Sequence, residues 1–563
     1  MANSFFDAHC DTLTQALDAM RKRDYWTPYP ERASGSIYGE TAAADGEAAF
    51  NGYLGKAFDL PGHPSEGEVA SDEVSPYGIP LNLSYPLLPV DLAIKASRAG
   101  AKAWRDAGPD VRAGVCLEIL HRINKRSFEM AHAVMHTTGQ AFMMAFQAGG
   151  PHAQDRGLEA VATAYQLQSA IPGAVRWEKS QGKNPPLLLD KKYRIMPKGI
   201  AVTIGVSTFP TWNGYPGIMA SLATGNPVII KPHPTAVLPL AISARIMRDV
   251  LSEAGFDPNL VLLLTDTRAN PVGQDLCTRP EVKIVDFTGS NAFGEWLEEN
   301  CRQAAVYTEK AGVNAVVVDD FSDFKGMCRN LAFTLSLYSG QMCTTPQNIF
   351  IPREGIKVGG ETMSFDAAAA AIAGAVGKFN SDPTRAVHVL GAIQAEATAD
   401  RIASARGMGK VLLDSQKIDH PDFPDARVHT PLILQIDAAE REKYENELFG
   451  PITFIVACDG IDGALEAWRS TVAAKGAITS AIYSDRPAVL EAAEGLGEEL
   501  GVLLSVNLTG GVFVNQTAAF SDYHASGANP AANASLVDAA FVAGRFRVAE
   551  TRVHVEPVTE TSQ

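Results

Sequence analysis

Two side chains in the sequence stand where covalent chemistry can be done. Cys343 lies in Ser339-Gly340-Gln341-Met342-Cys343-Thr344-Thr345, a glycine-flanked loop between a helical pattern over 324–338 and an extended run over 348–351. A thiol on such a loop can reach a substrate, and nearby N–H groups or a cation can lower its pKa enough to make it nucleophilic. The plain alternative is a small buried hydrophobe, the commoner fate of a cysteine. Glu309, in Tyr307-Thr308-Glu309-Lys310-Ala311-Gly312, sits between an extended run and a turn. It suits a general base, or else a solvated acid beside Lys310.

A second group of residues suits ligand binding. Lys231 closes the apolar run Val228-Ile229-Ile230 and precedes Pro232. That puts an ammonium either at the carboxyl edge of a sheet, where open α/β folds bind ligands, or in solvent. Asp286-Phe287-Thr288-Gly289-Ser290 is a strand that stops at a Gly-Ser turn before a helix beginning near Ala292. Free N–H groups at such a start hold phosphates, and the same pattern also serves ordinary capping. The sequence has no GxxxxGK and no GxGxxG opening a helix. His132 and His136 share a helix face, but with no glutamate after the first and no third ligand they read as packing histidines, so no metal site is expected. Gly407-Met408-Gly409 reads as a turn.

Positioning these groups requires a layered α/β fold. From Val228 to Phe287 strand and helix patterns alternate, the rhythm of parallel βαβ units with the functional edge at the strand carboxyl ends. A second alternating block runs over 316–504, and 546–555 alternates like an edge strand. Residues 111–168 read as stacked helices. Residues 184–204 read as a hairpin around a charged Asp190-Lys191-Lys192 turn. The first hundred residues, with Pro28, Pro30, Pro61, Pro64, Pro76 and Pro80, read as an irregular segment wrapped on the body. Seven scattered cysteines without a CxxC pair fit a reduced compartment. With 46% apolar residues, 20% charged residues and a net charge of −16 over 563 residues, the chain is expected to be a cytoplasmic, multidomain protein. The acidic balance excludes a polyanion-binding surface, and so a nucleic-acid partner. The longest near-apolar run, 367–377, is too short for a bilayer, so no membrane partner is expected.

Read in order, the motifs resemble the aldehyde dehydrogenase superfamily. Gly225-Asn226 with Val228-Ile229-Ile230-Lys231-Pro232 resembles its AGN-TVVLKP strand, and Phe287-Thr288-Gly289-Ser290 its FTGS turn. Glu309-Lys310-Ala311-Gly312 is similar to ELGG, Gly340-Gln341-Met342-Cys343 to GQxC, and Glu447-Leu448-Phe449-Gly450-Pro451 to EIFGP. Val514-Asn515 and Ser526-Gly527 match the closing elements loosely. The separation of Glu309 from Cys343 agrees with that of the family's base and nucleophile. The wording of residues 208–234 and the long N-terminal segment most resemble the phenylacetic acid degradation (PaaN-type) branch.

The resemblance implies a Rossmann-like nucleotide domain (111–183 and 199–310), an α/β catalytic domain (311–545), a bridging oligomerisation β arm (184–198 and 546–557) and an N-terminal segment (1–110) packed on the nucleotide domain. Homo-oligomers are implied with it. So are Cys343 as nucleophile and Glu309 as base for hydrolysis of the thioester. Lys231 and Glu447 would hold the riboses, Gly289 and Ser290 the pyrophosphate, and Phe449 would pack beside the nicotinamide. The partner the resemblance implies is a small-molecule aldehyde, expected to be a semialdehyde of aromatic catabolism. The alternatives are a coenzyme A-acylating relative and a catalytically silent binding or assembly subunit. Two positions depart from the family. At the oxyanion asparagine an ungapped alignment places Thr208, with Asn213 of Trp212-Asn213 as the rival. Pro234 replaces the acid of NAD-preferring relatives, so NADP is expected to serve at least as well as NAD.

Overall fold

The structure is a computed structural model that describes residues 2–556. Five parallel strands form the first sheet, in the order Val261–Leu263, Val228–Lys231, Ile200–Ile204, Val282–Thr288, Ala305–Glu309. Its residues alternate between two apolar layers. Ala201, Val228, Ile230 and Ile284 pack into one and Ile200, Val202, Ile229 and Val285 into the other, the signature of a sheet covered on both faces. The helices expected over 111–168 are present as Gly108–Asn124, Ser127–Thr138, Phe142–Gly149 and Pro151–Ser169.

The second sheet has seven strands, in the order Lys410–Leu413, Leu432–Asp437, Ile452–Cys458, Asn348–Pro352, Ala315–Val318, Thr479–Tyr483, Leu503–Val506. Only its Lys410–Leu413 edge pairs antiparallel. Here too alternate residues divide between two cores: Val317, Phe350, Phe454 and Ile482 against Val316, Ile349, Ile455 and Ala481.

The third sheet is antiparallel, in the order Phe546–Val555, Asn184–Pro197, Ala174–Gln181. It corrects two expectations. Asp190-Lys191-Lys192 is no turn; it lies inside one continuous strand, because its charges are met across the ladder. Arg176 pairs with Asp190, Lys191 lies 3.1 Å from Glu550, and its ammonium sits 5.6 Å from the Trp177 ring centre. The turn falls instead between Gln181 and Asn184, which takes residues 174–181 out of the first sheet's domain and into the arm. Pro557, the last residue assigned to the arm, lies outside the described residues.

The N-terminal segment is also more regular than expected. Ala2–Lys22 is a helix; this stretch has no proline or glycine, and Leu13, Ala16 and Ala19 bury one face against the helices Gly108–Asn124 and Pro151–Ser169. The prolines that suggested irregularity all lie beyond it. Further on, the buried Glu73 carboxylate accepts the N–H groups of Val237 (2.6 Å) and Leu238 (2.8 Å), capping from a distance the helix Leu238–Glu253. No helix among the described residues is long and apolar enough to cross a membrane.

Candidate active site

Glu309 is the last residue of the first sheet, and six positions later Ala315 opens a central strand of the second. This short connection sets the carboxyl edge of one sheet against the amino edge of the other. The candidate residues of the first sheet therefore stand at its carboxyl ends, whereas those of the second stand where its strands begin. Cys343 precedes Asn348–Pro352, and Glu447 and Phe449 precede Ile452–Cys458.

Asn314 joins these amino ends. Its amide donates to the carbonyls of Cys343 (2.6 Å) and Thr345 (3.2 Å), and its oxygen accepts from Ile478 (3.0 Å) and Thr479 (3.1 Å). The loop before Cys343 turns through three left-handed residues, Tyr338 (φ 53°), Ser339 (φ 47°) and Gly340 (φ 64°). Only glycine fits the last, where a Cβ would fall 2.5 Å from the Gly450 carbonyl oxygen. The other two conformations are costly for side-chain-bearing residues. They are held by the Tyr338 hydroxyl bonded to the Thr138 carbonyl and by Ser339 Oγ, 3.0 Å from the carbonyls of Leu390 and His429.

A cavity of about 760 Å³ runs along the carboxyl edge of the first sheet. It is lined by Thr208, Asn213, Lys231, Asp266, Gly289, Ser290, Glu309, Cys343, Glu447 and Phe449, which brings every sequence-predicted site residue into one place. Ser290 occupies the cap position of the helix Asn291–Asn300, yet its side chain makes no capping bond, leaving hydroxyl and helix start open to a phosphate. Gly289 permits the turn, since a Cβ there would meet the Phe287 ring at 2.7 Å. Arg401 donates to the Phe449 carbonyl at 2.5 Å. Burial raises the Glu447 carboxyl to about 7 despite Arg401 nearby. Lys231 is buried and lies 2.6 Å from Asp266, a partner that sequence reading missed. The run Val261-Leu262-Leu263-Leu264 was legible as a strand, and the first acid beyond it at the same sheet edge was the available signal.

A second cavity, of about 680 Å³, reaches Cys343 from the other side and shares only Phe209, Asn213 and Cys343 with the first. Its wall includes Tyr25, Trp26, Met143, Met144, Trp212, Phe333 and Phe513. Its polar groups include Glu31 and His152, 2.7 Å apart. Asn213 donates to Glu309 Oε2 at 3.3 Å. Thr208 lines the first cavity alone, and its carbonyl accepts from Gln140 at 2.8 Å.

His524 is a further group at the centre that the sequence reading did not find, although it lies two residues before the matched Ser526-Gly527. Its Nε2 sits 3.1 Å from Glu309 Oε1 and 3.7 Å from Cys343 Sγ. Burial alone would push the Glu309 carboxyl up, but His524, Cys343 and Asn213 hold it below its ordinary value. Burial, and then the Glu309 carboxylate, push the Cys343 thiol well above its own. Burial also lifts Cys116 and Cys458 to about 12. Cys343 differs from those thiols in opening on two cavities.

A parallel sheet with a long cavity at its carboxyl edge, facing a second sheet that presents a thiol at its amino edge, is the aldehyde dehydrogenase fold. The chain belongs to the aldehyde dehydrogenase family, whose model matches residues 89–535. It is similar over 98% of its length to the crystal structure of an NAD-dependent aldehyde dehydrogenase from Burkholderia multivorans, at 56% identity and a TM-score of 0.97, covering 99% of that chain. Among curated proteins it is 24% identical over 384 residues to a benzaldehyde dehydrogenase [NAD(+)] of Pseudomonas putida, covering 67% of this chain and 72% of that one. A 1-pyrroline-5-carboxylate dehydrogenase from Thermus shares the fold at 18% identity, with a TM-score of 0.73, over 94% of this chain and 99% of that one.

Proposed function

We propose that the protein oxidises an aromatic aldehyde to its carboxylic acid through a thioester on Cys343, with a nicotinamide dinucleotide as oxidant. The observation that carries this reading is the meeting of two cavities at Cys343. One is edged by a helix start, Lys231 and Ser290; the other is walled by aromatic rings and thioethers, the lining an aromatic substrate favours. The likeness to a benzaldehyde dehydrogenase and to the phenylacetic acid degradation branch points the same way, to a semialdehyde of aromatic-ring catabolism.

The Cys343 thiolate adds to the carbonyl carbon. The resulting oxyanion is met by the Cys343 N–H and the Asn213 amide, donors of the kind that hold tetrahedral intermediates. We assign Asn213 rather than Thr208 because Asn213 borders both cavities where the reacting carbon must sit. After oxidation to the thioester, Glu309 takes a proton from water as the water attacks, which favours hydrolysis over transfer to coenzyme A.

The larger cavity fits a dinucleotide. Ser290, Gly289 and the following helix start would hold the pyrophosphate, Lys231 and Glu447 the riboses, and Phe449 would flank the nicotinamide. The bound dinucleotide supplies the hydride acceptor. Pro234 alone argues for NADP, but Asp266 neutralises Lys231 and adds a carboxylate where a 2′-phosphate would lie. This moves our reading toward NAD. The arm exposes the apolar side chains of Val175, Leu187, Val548 and Val553, and its two outer strands have free edges suited to pairing with further copies of the chain.

The test is an aldehyde panel, aromatic and aliphatic, with NAD or NADP and with or without coenzyme A, the product being identified by mass spectrometry. An aromatic acid formed without coenzyme A is the expected result. A thioester product formed only with coenzyme A would overturn the hydrolytic reading, and turnover retained in Cys343→Ala would overturn the covalent one.

A further inference from the structure

His524 touches both halves of the proposed chemistry. The imidazole is buried, 2% exposed, and its Nε2 faces the Cys343 sulfur at 3.7 Å and the Glu309 carboxylate at 3.1 Å. The ring cannot swing away. Trp212 packs edge-on against it with ring centres 4.6 Å apart, and its backbone pairs with Leu536 through two bonds of 2.9 Å. The segment before it is tied down by Phe520 N–H on Glu159 (3.1 Å) and by Arg156 on the Asp522 carbonyl (2.9 Å). Its Nδ1 is buried without a hydrogen-bond partner, and the residue borders the aromatic cavity.

Resting on the reading of Cys343 as nucleophile, we propose that His524 is a third catalytic group, which carries the thiol proton in the resting enzyme so that Cys343 stands as a thiolate beside an imidazolium. The S–H bond breaks and an N–H bond forms, and the trio keeps the same total charge. The Nε2–H is then shared between Sγ and Glu309 Oε1, and the carboxylate orients the ring, the logic of a nucleophile, base and orienting acid. The imidazolium resolves a conflict in the site. A desolvated carboxylate next to a desolvated thiol opposes thiolate formation, and the neighbouring Glu447 adds to that opposition. Of the charged groups near the ring, Glu309 and Cys343 touch it and Arg156 stands behind Trp212, its guanidinium 5.4 Å from the indole centre. When the thioester breaks, the departing sulfur meets the same cation.

The test reads the thiolate without turnover. The full-length protein is alkylated with iodoacetamide from pH 5 to 10, and the modification of Cys343 is followed by mass spectrometry in wild type, His524→Gln and His524→Ala. The wild-type midpoint is expected below the free-thiol value of about 8.5. In both variants it should rise by at least about one pH unit, with the rate at pH 7 falling about tenfold or more and recovering at high pH. The first rapid phase of nucleotide reduction should show the same pH-dependent loss. Unshifted midpoints in variants that melt like wild type would overturn the proposal. So would a wild-type midpoint at or above about 8.5, a result that needs no variant. Failure of the nucleophile reading is distinct, since it appears as turnover in Cys343→Ala.

Discussion

In the proposed reaction Glu309 and Cys343 divide the work between them, and substitution should separate the halves. Glu309→Gln is expected to keep a rapid first turnover, seen as a burst of reduced nucleotide in stopped flow, while steady-state turnover falls about 10²–10⁴-fold because the water loses its base. Asn213→Ala should lower kcat about 10²–10³-fold, the usual loss for an oxyanion donor; Thr208→Ala should cost less than about tenfold, since the Thr208 contact seen is through its backbone carbonyl. Asp266→Asn should raise the ratio of kcat/KM for NADP over that for NAD about tenfold or more, by removing the carboxylate beside Lys231 that would repel the extra phosphate in the proposed binding mode. At this scale the residues that contiguous motifs single out, including Lys231, Ser290, Glu309, Cys343 and Glu447, meet along one cavity. The sequence was silent on Asp266 and His524, because each gains its meaning from a partner far away in the chain. An ungapped alignment puts Thr208 at the oxyanion position with Asn213 as its rival, and the helix start at Pro210 brings Asn213 to the junction of both cavities.

The elements that hold these residues work by over-determination. The left-handed turn Tyr338–Gly340 is locked from outside by the carbonyls of Thr138, Leu390 and His429, and Asn314 fixes the chain on the far side of the nucleophile. Asn314→Ala would strand the N–H groups of Ile478 and Thr479 and free the Cys343 carbonyl. The expected loss of stability is about 2–4 kcal/mol by chemical denaturation, with a fall in kcat even where the variant remains folded. Parallel strands were readable from apolar runs bounded by turn residues, because they are buried on both faces. Elements ordered by distant partners were not. The charged centre of Asn184–Pro197 read as a turn until Arg176 and Glu550 paired it. The helix Ala2–Lys22 was hidden by the prolines that follow it, although its own spacing of Leu13, Ala16 and Ala19 carried the signal.

For the molecule as a whole, the arm is the part with least to hold it alone. Three strands leave Val548 and Val553 exposed at 44% and 56%, apolar surface that the proposed pairing of arms would cover. Val548→Glu with Val553→Glu should yield a smaller species than wild type in size exclusion with light scattering, the thermal transition of the body being kept. The N-terminal segment, unexplained in sequence, proves to be part of the aromatic cavity. Tyr25 and Trp26 line it, Trp26 packs edge-on against Phe520 at 5.2 Å, and the Arg23 guanidinium lies 4.1 Å above the Tyr523 ring. It thus braces the strip of chain that ends at His524.

The narrow overlap of the two cavities also bears on the order of events. Because Phe209, Asn213 and Cys343 are their only common ground among the described residues, a dinucleotide in the first and an aldehyde in the second, as proposed, would not lie across each other's path. Aldehyde and dinucleotide would then be free to arrive in either sequence, and the acid to depart while the reduced nucleotide is still in place. An inert aromatic acid would then compete with the aldehyde alone and leave the affinity for the dinucleotide untouched.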